Sequence, residues 1–386
     1  AGSQEMLVAA RFLQGAGGAL TSAVILGMIV TMFPEPREQA RAIGVFAFVA
    51  SAGGSVGLLA GGVLTQAINW HWIFFINIPI GALTAVLALR LLPHDRGLGL
   101  KAGADAPGAL LITAALMLGV YTIVEPAARD GWGDPTTLAL AAVSVALLAG
   151  FIARQATAAS PLMPLRLFRS RNVAGANLIQ VLSVAGMFGM FFMGALYLQE
   201  VLGYDALETG LAFLPLTVVM GALSVRYSEK LVTRFGARPV LVGGLALVAV
   251  ALALFVRAPV DGSYLEHVFP VMVVLGLGGG VAFPALMNLA MSGATPEDAG
   301  IASGLVNTTA QVGGALGLAV LATLSASRTE TLAADGVARA EALTGGYHLA
   351  FGVATGLVVL ALAVALLVLE RVPAPAGGVE PAVESA

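Results

Sequence analysis

The chain has 386 residues, 58% of them hydrophobic and only 11% charged, with a mean hydropathy of +0.92 and a net charge of −3. Soluble domains carry about 25% charged residues, so this composition specifies an integral membrane protein. No basic cluster or aromatic platform offers a surface for nucleic acid, and the absence of cysteine excludes disulfides and thiolate metal sites. His71, His94, His267 and His348 are scattered near segment ends as interfacial side chains, so neither a metal nor a cofactor is expected.

In chain order, eleven apolar segments each reach or approach the length of about 20 residues that spans a bilayer: 4–33, 40–66, 72–92, 107–126, 134–153, 173–198, 209–227, 239–256, 266–291, 299–323 and 346–369. The expected fold is therefore all-α and polytopic. The first segment lacks the basic start and short core of a signal peptide and is kept as a helix. The Pro-, Gly- and Ala-rich stretch 371–386 reads as a disordered tail.

Basic residues set the orientation. If the first helix runs inward, one set of loops and the tail carries fourteen Arg and Lys, among them Arg37, Arg41, Arg154, Arg166, Arg234 and Arg238, and the other set carries four: Arg129, Arg257, Arg328 and Arg339. That bias places the first set, and the C-terminus, in the cytoplasm.

Within the second segment Gly53, Gly57 and Gly61 recur every four residues and Gly62 widens the strip, a smooth helix face that lets another backbone approach. Trp70 and Trp72 then mark a water–membrane boundary. A shift of 260 residues superposes Pro36, Glu38, Gly44, Gly53, Gly54 and Gly57 on Pro296, Asp298, Gly304, Gly313, Gly314 and Gly317, and a shift of 261 superposes Gly15, Gly17 and Gly18 on Gly276, Gly278 and Gly279. These matches describe a duplicated unit whose copies run in the same membrane direction. Three helices, 173–198, 209–227 and 239–256, precede the second copy and have no counterpart before the first, so the chain is expected to lack three upstream helices.

RFLQGAGGAL (Arg11–Leu20) resembles the fourth-helix motif of the major facilitator superfamily, and GGSVGLLAGG resembles its fifth-helix antiporter motif, with Leu58 where proline is usual. WHWIFFINIPIG (Trp70–Gly81) is similar to the opening of the sixth helix in fourteen-helix drug:proton antiporters of the EmrB/QacA type, and KLVTRFGARPVL (Lys230–Leu241) resembles the second copy of the superfamily's cytoplasmic loop motif. The resemblance implies a two-bundle helical fold in a bacterial-type plasma membrane, with the first three of fourteen helices missing. It divides the chain into a partial first bundle (1–100), two additional linker helices (101–160), a complete six-helix second bundle (161–370) and the tail. It implies secondary transport by alternating access, with proton-coupled export of hydrophobic or amphipathic small molecules; the partners are those substrates, protons and the bilayer. Transport of an endogenous metabolite, or a fragment that does not transport, are the alternatives. No HExxH zinc motif, nucleotide-binding loop or cluster of acids within the apolar segments points to an enzyme.

Candidate residues follow, each with two readings. Arg11 lies about two turns into the first helix, where a charge is costly; it serves proton coupling together with Gln14 of the same motif, or snorkels to the interface. Deep carboxylates to pair with it are absent from the apolar segments, so the coupling acid is expected upstream and the chain alone is expected not to drive export. Gly15, Gly53, Gly57, Gly61, Gly62, Gly313 and Gly317 are packing positions or the surface on which the halves move. Arg234, Gly236 and Arg238 form a cytoplasmic gate loop, or the arginines are plain inside anchors. Asn177, Gln180, Met187 and Phe191 on one helix, and Asn307 and Gln311 on another, line a substrate cavity or bind helices to each other.

Overall fold

The computed structural model describes residues 3–92, 105–292 and 299–370. All regular structure among them is helical: α1 (Gln4–Met32), α2 (Pro36–Ala67), α3 (Trp72–Phe75), α4 (Asn77–Leu91), α5 (Ala106–Val124), α6 (Pro126–Asp130), α7 (Pro135–Thr157), α8 (Arg171–Leu196), α9 (Ala206–Arg226), α10 (Ser228–Phe235), α11 (Ala237–Phe255), α12 (Phe269–Met291), α13 (Ala299–Ala334) and α14 (Arg339–Leu367). A 3₁₀ turn, Leu165–Arg169, leads into α8, and π turns Tyr197–Val201 and Tyr264–Val268 adjoin α8 and α12.

Among the described residues, ten helical stretches are long and apolar enough to cross a membrane. The expected second span is not among these ten, although α2 is there a continuous helix of 32 residues. Start signals are local: Ser3, Asp105, Asp134 and Ser170 each accept a backbone N–H from the first turn they cap. Asp205 and Glu208 form a reciprocal capping box at the head of α9. The largest boundary difference is at the C-terminal end of α13, which continues to Ala334 where apolar counting stops at 323. The stretch SASRTETLAA is polar but made largely of residues compatible with helix, so the helix extends beyond the hydrocarbon layer.

Residues of α8, α9, α11, α12, α13 and α14 supply nearly all of the main buried cluster, including Met190, Phe213, Leu241, Phe255, Leu286 and Phe351. Glycines set the helix spacing there. In α12, a Cβ at Gly276 or Gly280 would lie 2.7 or 2.8 Å from the Leu216 or Met220 carbonyl oxygen of α9. Gly278, on the other side of α12, faces Gly244 of α11, and a Cβ on either would lie 2.7 Å from the other's carbonyl oxygen. Glycine two residues apart therefore serves two neighbours at once, because that interval is about half a turn. In a lipid setting such closeness carries helix association through dispersion rather than through the hydrophobic effect.

The earlier helices lie on this core. α2 runs along α9, and α1 along α13, with little contact between α1 and α2 themselves. No residue of α4 is buried. α5 and α7 form a hairpin stitched by Ser144 Oγ to the Ala115 carbonyl (2.8 Å), and α5 touches α13.

Candidate functional site

Arg11 is exposed on α1 and donates through Nη1 to Gln14 Oε1 at 2.7 Å, one turn along the helix. Its guanidinium also lies 5.7 Å from the centre of the Phe74 ring on α3, a cation–π distance. Its partners among the described residues are thus an amide and an aromatic face. The pair Arg11–Gln14 is brought together, and Phe74 joins it, a residue that sequence reasoning did not single out.

The packing glycines divide into two groups. Gly313 and Gly317 of α13 sit backbone to backbone on α8: a Cβ at Gly313 would lie 2.6 Å from the Val181 carbonyl oxygen, and one at Gly317 would collide with Ala185. Gly62 is equally close to α9, 2.8 Å from the Ala206 carbonyl oxygen. Gly15, Gly53 and Gly57 have no neighbouring atom within 4 Å of such a carbon, and Gly61 has only the Ile73 side chain at 3.9 Å. The close approach in α2 lies instead at Gly44 and Gly62. Those two are 18 residues apart, about five full turns, whereas Gly53 is nine residues from Gly44, about two and a half turns, and so lies on the opposite side.

The candidate cavity residues occupy three environments. Asn177, Gln180 and Met187 of α8 are buried at 3%, 4% and 5% exposure, and Phe191 is half-buried, stacked on Phe213 of α9 at 5.4 Å. Asn177 binds helices: its Nδ2 donates to the Val173 carbonyl (2.9 Å) and its Oδ1 accepts from Thr309 Oγ1 of α13 (3.0 Å). Gln180 Oε1 and Ser183 Oγ, three residues apart on α8, are buried without a hydrogen-bond partner among the described residues. Asn307 turns to α1, donating to the Ser22 carbonyl at 2.8 Å, and Gln311 is exposed.

At the loop motif, Gly236 has φ +83° and ψ 156°, a conformation open essentially to glycine alone, and it sets the turn from α10 into α11. The turn aims Arg238 at the end of α14, where Nε donates to the Ala365 carbonyl (3.1 Å) and Nη2 to the Leu366 carbonyl (2.5 Å). Arg171 reaches the next carbonyl, Leu367, at 3.3 Å. Two guanidiniums therefore close the C-terminal carbonyls of one helix, where the helix dipole is negative. Arg234 lies over the Phe235 ring at 5.3 Å.

The sequence matches the model of the Major Facilitator Superfamily over residues 1–318. The chain belongs to the major facilitator superfamily. It is 37% identical over 370 residues to the puromycin resistance protein pur8 of Streptomyces alboniger, covering 94% of this chain and 73% of that protein. It is also 37% identical over 368 residues to the cephamycin export protein CmcT of Amycolatopsis lactamdurans, covering 95% and 73%. Identity to the tetracenomycin C resistance and export protein of Streptomyces glaucescens is 36% over 328 residues, covering 85% of this chain and 60% of that protein. Family and relatives indicate a transporter rather than an enzyme.

In this superfamily member one buried carboxylate escaped sequence reasoning. Asp105, with its side chain only 2% exposed, caps α5 and accepts from Arg154 Nε (2.6 Å), Gln155 Nε2 (2.9 Å) and the Gly108 N–H (3.1 Å). Gln155 in turn accepts from the Met163 N–H at 3.0 Å, which ties the α5–α7 hairpin to the strand of chain entering α8. Burial pushes the Asp105 carboxyl up, but the donors from Arg154, Gly108 and Gln155 outweigh it and hold it below the usual range. The only local signal was Asp105 ahead of the Pro107 helix start; its partners lie about 50 residues away.

Proposed function

We propose that this protein is an exporter of hydrophobic or amphipathic small molecules, antibiotics among them, that works by alternating access and exchanges substrate for protons. The observation that carries the reading is the match over 94% and 95% of the chain to proteins named for puromycin resistance and cephamycin export. The fourteen-helix antiporter type fits it, since the α5–α7 hairpin stands between the two copies of the repeat and packs mainly on itself. Export of an endogenous product is the second reading, favoured by the same cephamycin relative.

Proton exchange needs a group that titrates inside the membrane, and arginine does not lose its proton at accessible pH. Arg11 serves in this reading as the positive neighbour that tunes a carboxylate, with Gln14 and Phe74 holding the guanidinium in place. Buried Met187 and half-buried Phe191 give adaptable apolar surface, and Gln180 and Ser183 supply unpaired polar atoms beside it. The loop residues Arg234, Gly236 and Arg238 act at the cytoplasmic face.

The test is expression of the complete gene carrying this sequence in a drug-sensitive host, with tolerance scored against a panel of unrelated amphipathic antibiotics. Raised tolerance to several of them, and substrate accumulation in inside-out vesicles that an uncoupler abolishes, are expected. Unchanged tolerance across the panel, or transport indifferent to the uncoupler, overturns the reading.

A further inference from the structure

α7 and α8 are each long and apolar enough to cross a membrane, so the chain that joins them, residues 158–170, lies at the level of the lipid headgroups. This segment is pinned to the helices around it. The Met163 N–H donates to Gln155 Oε1 of α7 at 3.0 Å, Leu167 is buried in one cluster with Val173 of α8 and Leu305 of α13, and Ser170 caps α8. Its 3₁₀ turn, Leu165–Arg169, repeats about every three residues, so side chains three apart eclipse and form rows. Leu167 points inward. Leu165 and Phe168 make a second row, with Leu165 exposed at 37% and Leu162, just ahead of the turn, at 42%. Arg166 and Arg169 make the third, and both are exposed.

Residues 158–171 contain three arginines, Arg166, Arg169 and Arg171, and no Asp or Glu. Two carboxylates stand close by. Asp105, linked to the segment through Gln155, is buried on Arg154, and Glu370 faces Arg171 at 3.7 Å. Exposed leucines beside exposed arginines, held at headgroup depth, are the pattern of a segment that lies in the interface. A zwitterionic headgroup would bring its own ammonium toward the arginines. A headgroup of net negative charge brings phosphate oxygens without it, and a guanidinium fork takes two such oxygens at once.

We propose that residues 162–171 are a docking site for anionic phospholipid in the leaflet on this side of the membrane. Leu162 and Leu165 enter the acyl boundary, and Arg166 and Arg169 hold the phosphate of the headgroup. Because Leu167 and Ser170 fix the turn against α8 and α13, the two rows are presented to the lipid without further ordering of the chain. The attraction is electrostatic at an exposed surface, so it weakens as salt rises.

The chain has no cysteine, so a single fluorophore can be placed without background. Ser160→Cys serves, being exposed two residues before Leu162. The labelled protein is reconstituted in phosphatidylcholine nanodiscs carrying equal mole fractions of nitroxide-tagged lipid, either phosphatidylglycerol or phosphatidylcholine, and quenching is compared. The expected result is several-fold stronger quenching by the phosphatidylglycerol. That excess should fall with added salt, vanish in Arg166→Gln/Arg169→Gln, and persist in the corresponding double lysine variant, which keeps the charge. Leu162→Ser/Leu165→Ser should lower quenching by both lipids. Equal quenching in the parent, or an unchanged excess in the double glutamine variant, overturns the proposal. So does the same excess at Gly133→Cys, an exposed reporter at the other end of α7, which would mark a general charge effect. Loss of the excess to inorganic phosphate, at an ionic strength where chloride leaves it intact, would mark a site for free anions and overturns the proposal too. Should the double glutamine variant fail to fold, Arg169→Gln alone carries the comparison, and an unchanged excess there is equally fatal.

Discussion

Asn307 on α13 donates through Nδ2 to the main-chain carbonyl of Ser22 on α1, at 2.8 Å and across 285 residues of sequence. The same amide also reaches the Ser303 carbonyl on its own helix at 3.2 Å, so the bond to α1 is a polar tie between the expected halves.

Removing that tie should loosen α1 from α13. Asn307→Ala is expected to cost about 0.5–1.5 kcal/mol, the range for hydrogen bonds between membrane helices. Gln311→Ala, at an exposed position on the same helix, should cost nothing measurable. Unfolding titrations in mixed detergent read both, and an equal effect of the two would refute the assignment.

Arg238 should matter more as a helix cap than as a movable charge. Its fork spans two successive carbonyls, Ala365 and Leu366, a geometry lysine cannot copy. Arg238→Ala is expected to destabilise the second half by about 1–3 kcal/mol and Arg238→Lys by less, with amide exchange rising first in the last turn of α14. Unchanged exchange there would return Arg238 to the gate reading.

Gln180 sets stability against function. A buried amide oxygen without a partner costs about 1–3 kcal/mol, so Gln180→Met, similar in volume, should hold or raise the melting temperature. If Gln180 serves substrate, the same variant should lose export of some compounds and keep others. A drop in melting temperature with uniform loss of export would mark Gln180 as structural.

Asp105 gives a pH dependence with a definite sign. Its carboxyl is held below the usual range, so the stability it contributes is present above the unfolded carboxylate value of about 3.9 and is lost as pH falls through the lower folded value. Asp105→Asn keeps a capping residue but removes the charge that faces Arg154. The variant should be less stable than the parent at neutral pH, with the difference closing in acid; a difference independent of pH would refute the ion pair's role.

Much of the fold was legible because membrane helices write themselves locally. Runs of apolar residues predicted eleven helical segments, and the repeat placed Gly313 and Gly317 on a packing face before any partner was known. A helix in hydrocarbon satisfies its own backbone, so its existence depends on its own sequence alone. The motifs likewise placed Arg11 beside Gln14, since a spacing of three residues is fixed by helix geometry.

Which face meets which neighbour was decided only in three dimensions. The four-residue spacing of Gly53, Gly57 and Gly61 was visible in the sequence, yet the close contacts of α2 lie at Gly44 and Gly62, whose common face appears only when five turns are counted against a real partner. Asp105 meets Arg154 and Gln155 only in the folded chain, and Asn307 Nδ2 finds the Ser22 carbonyl whereas Gln180 Oε1 has no partner among the described residues. Sequence fixes the spacing of groups along a helix; rotation and neighbours are set by contacts summed over the whole bundle, which no local pattern contains.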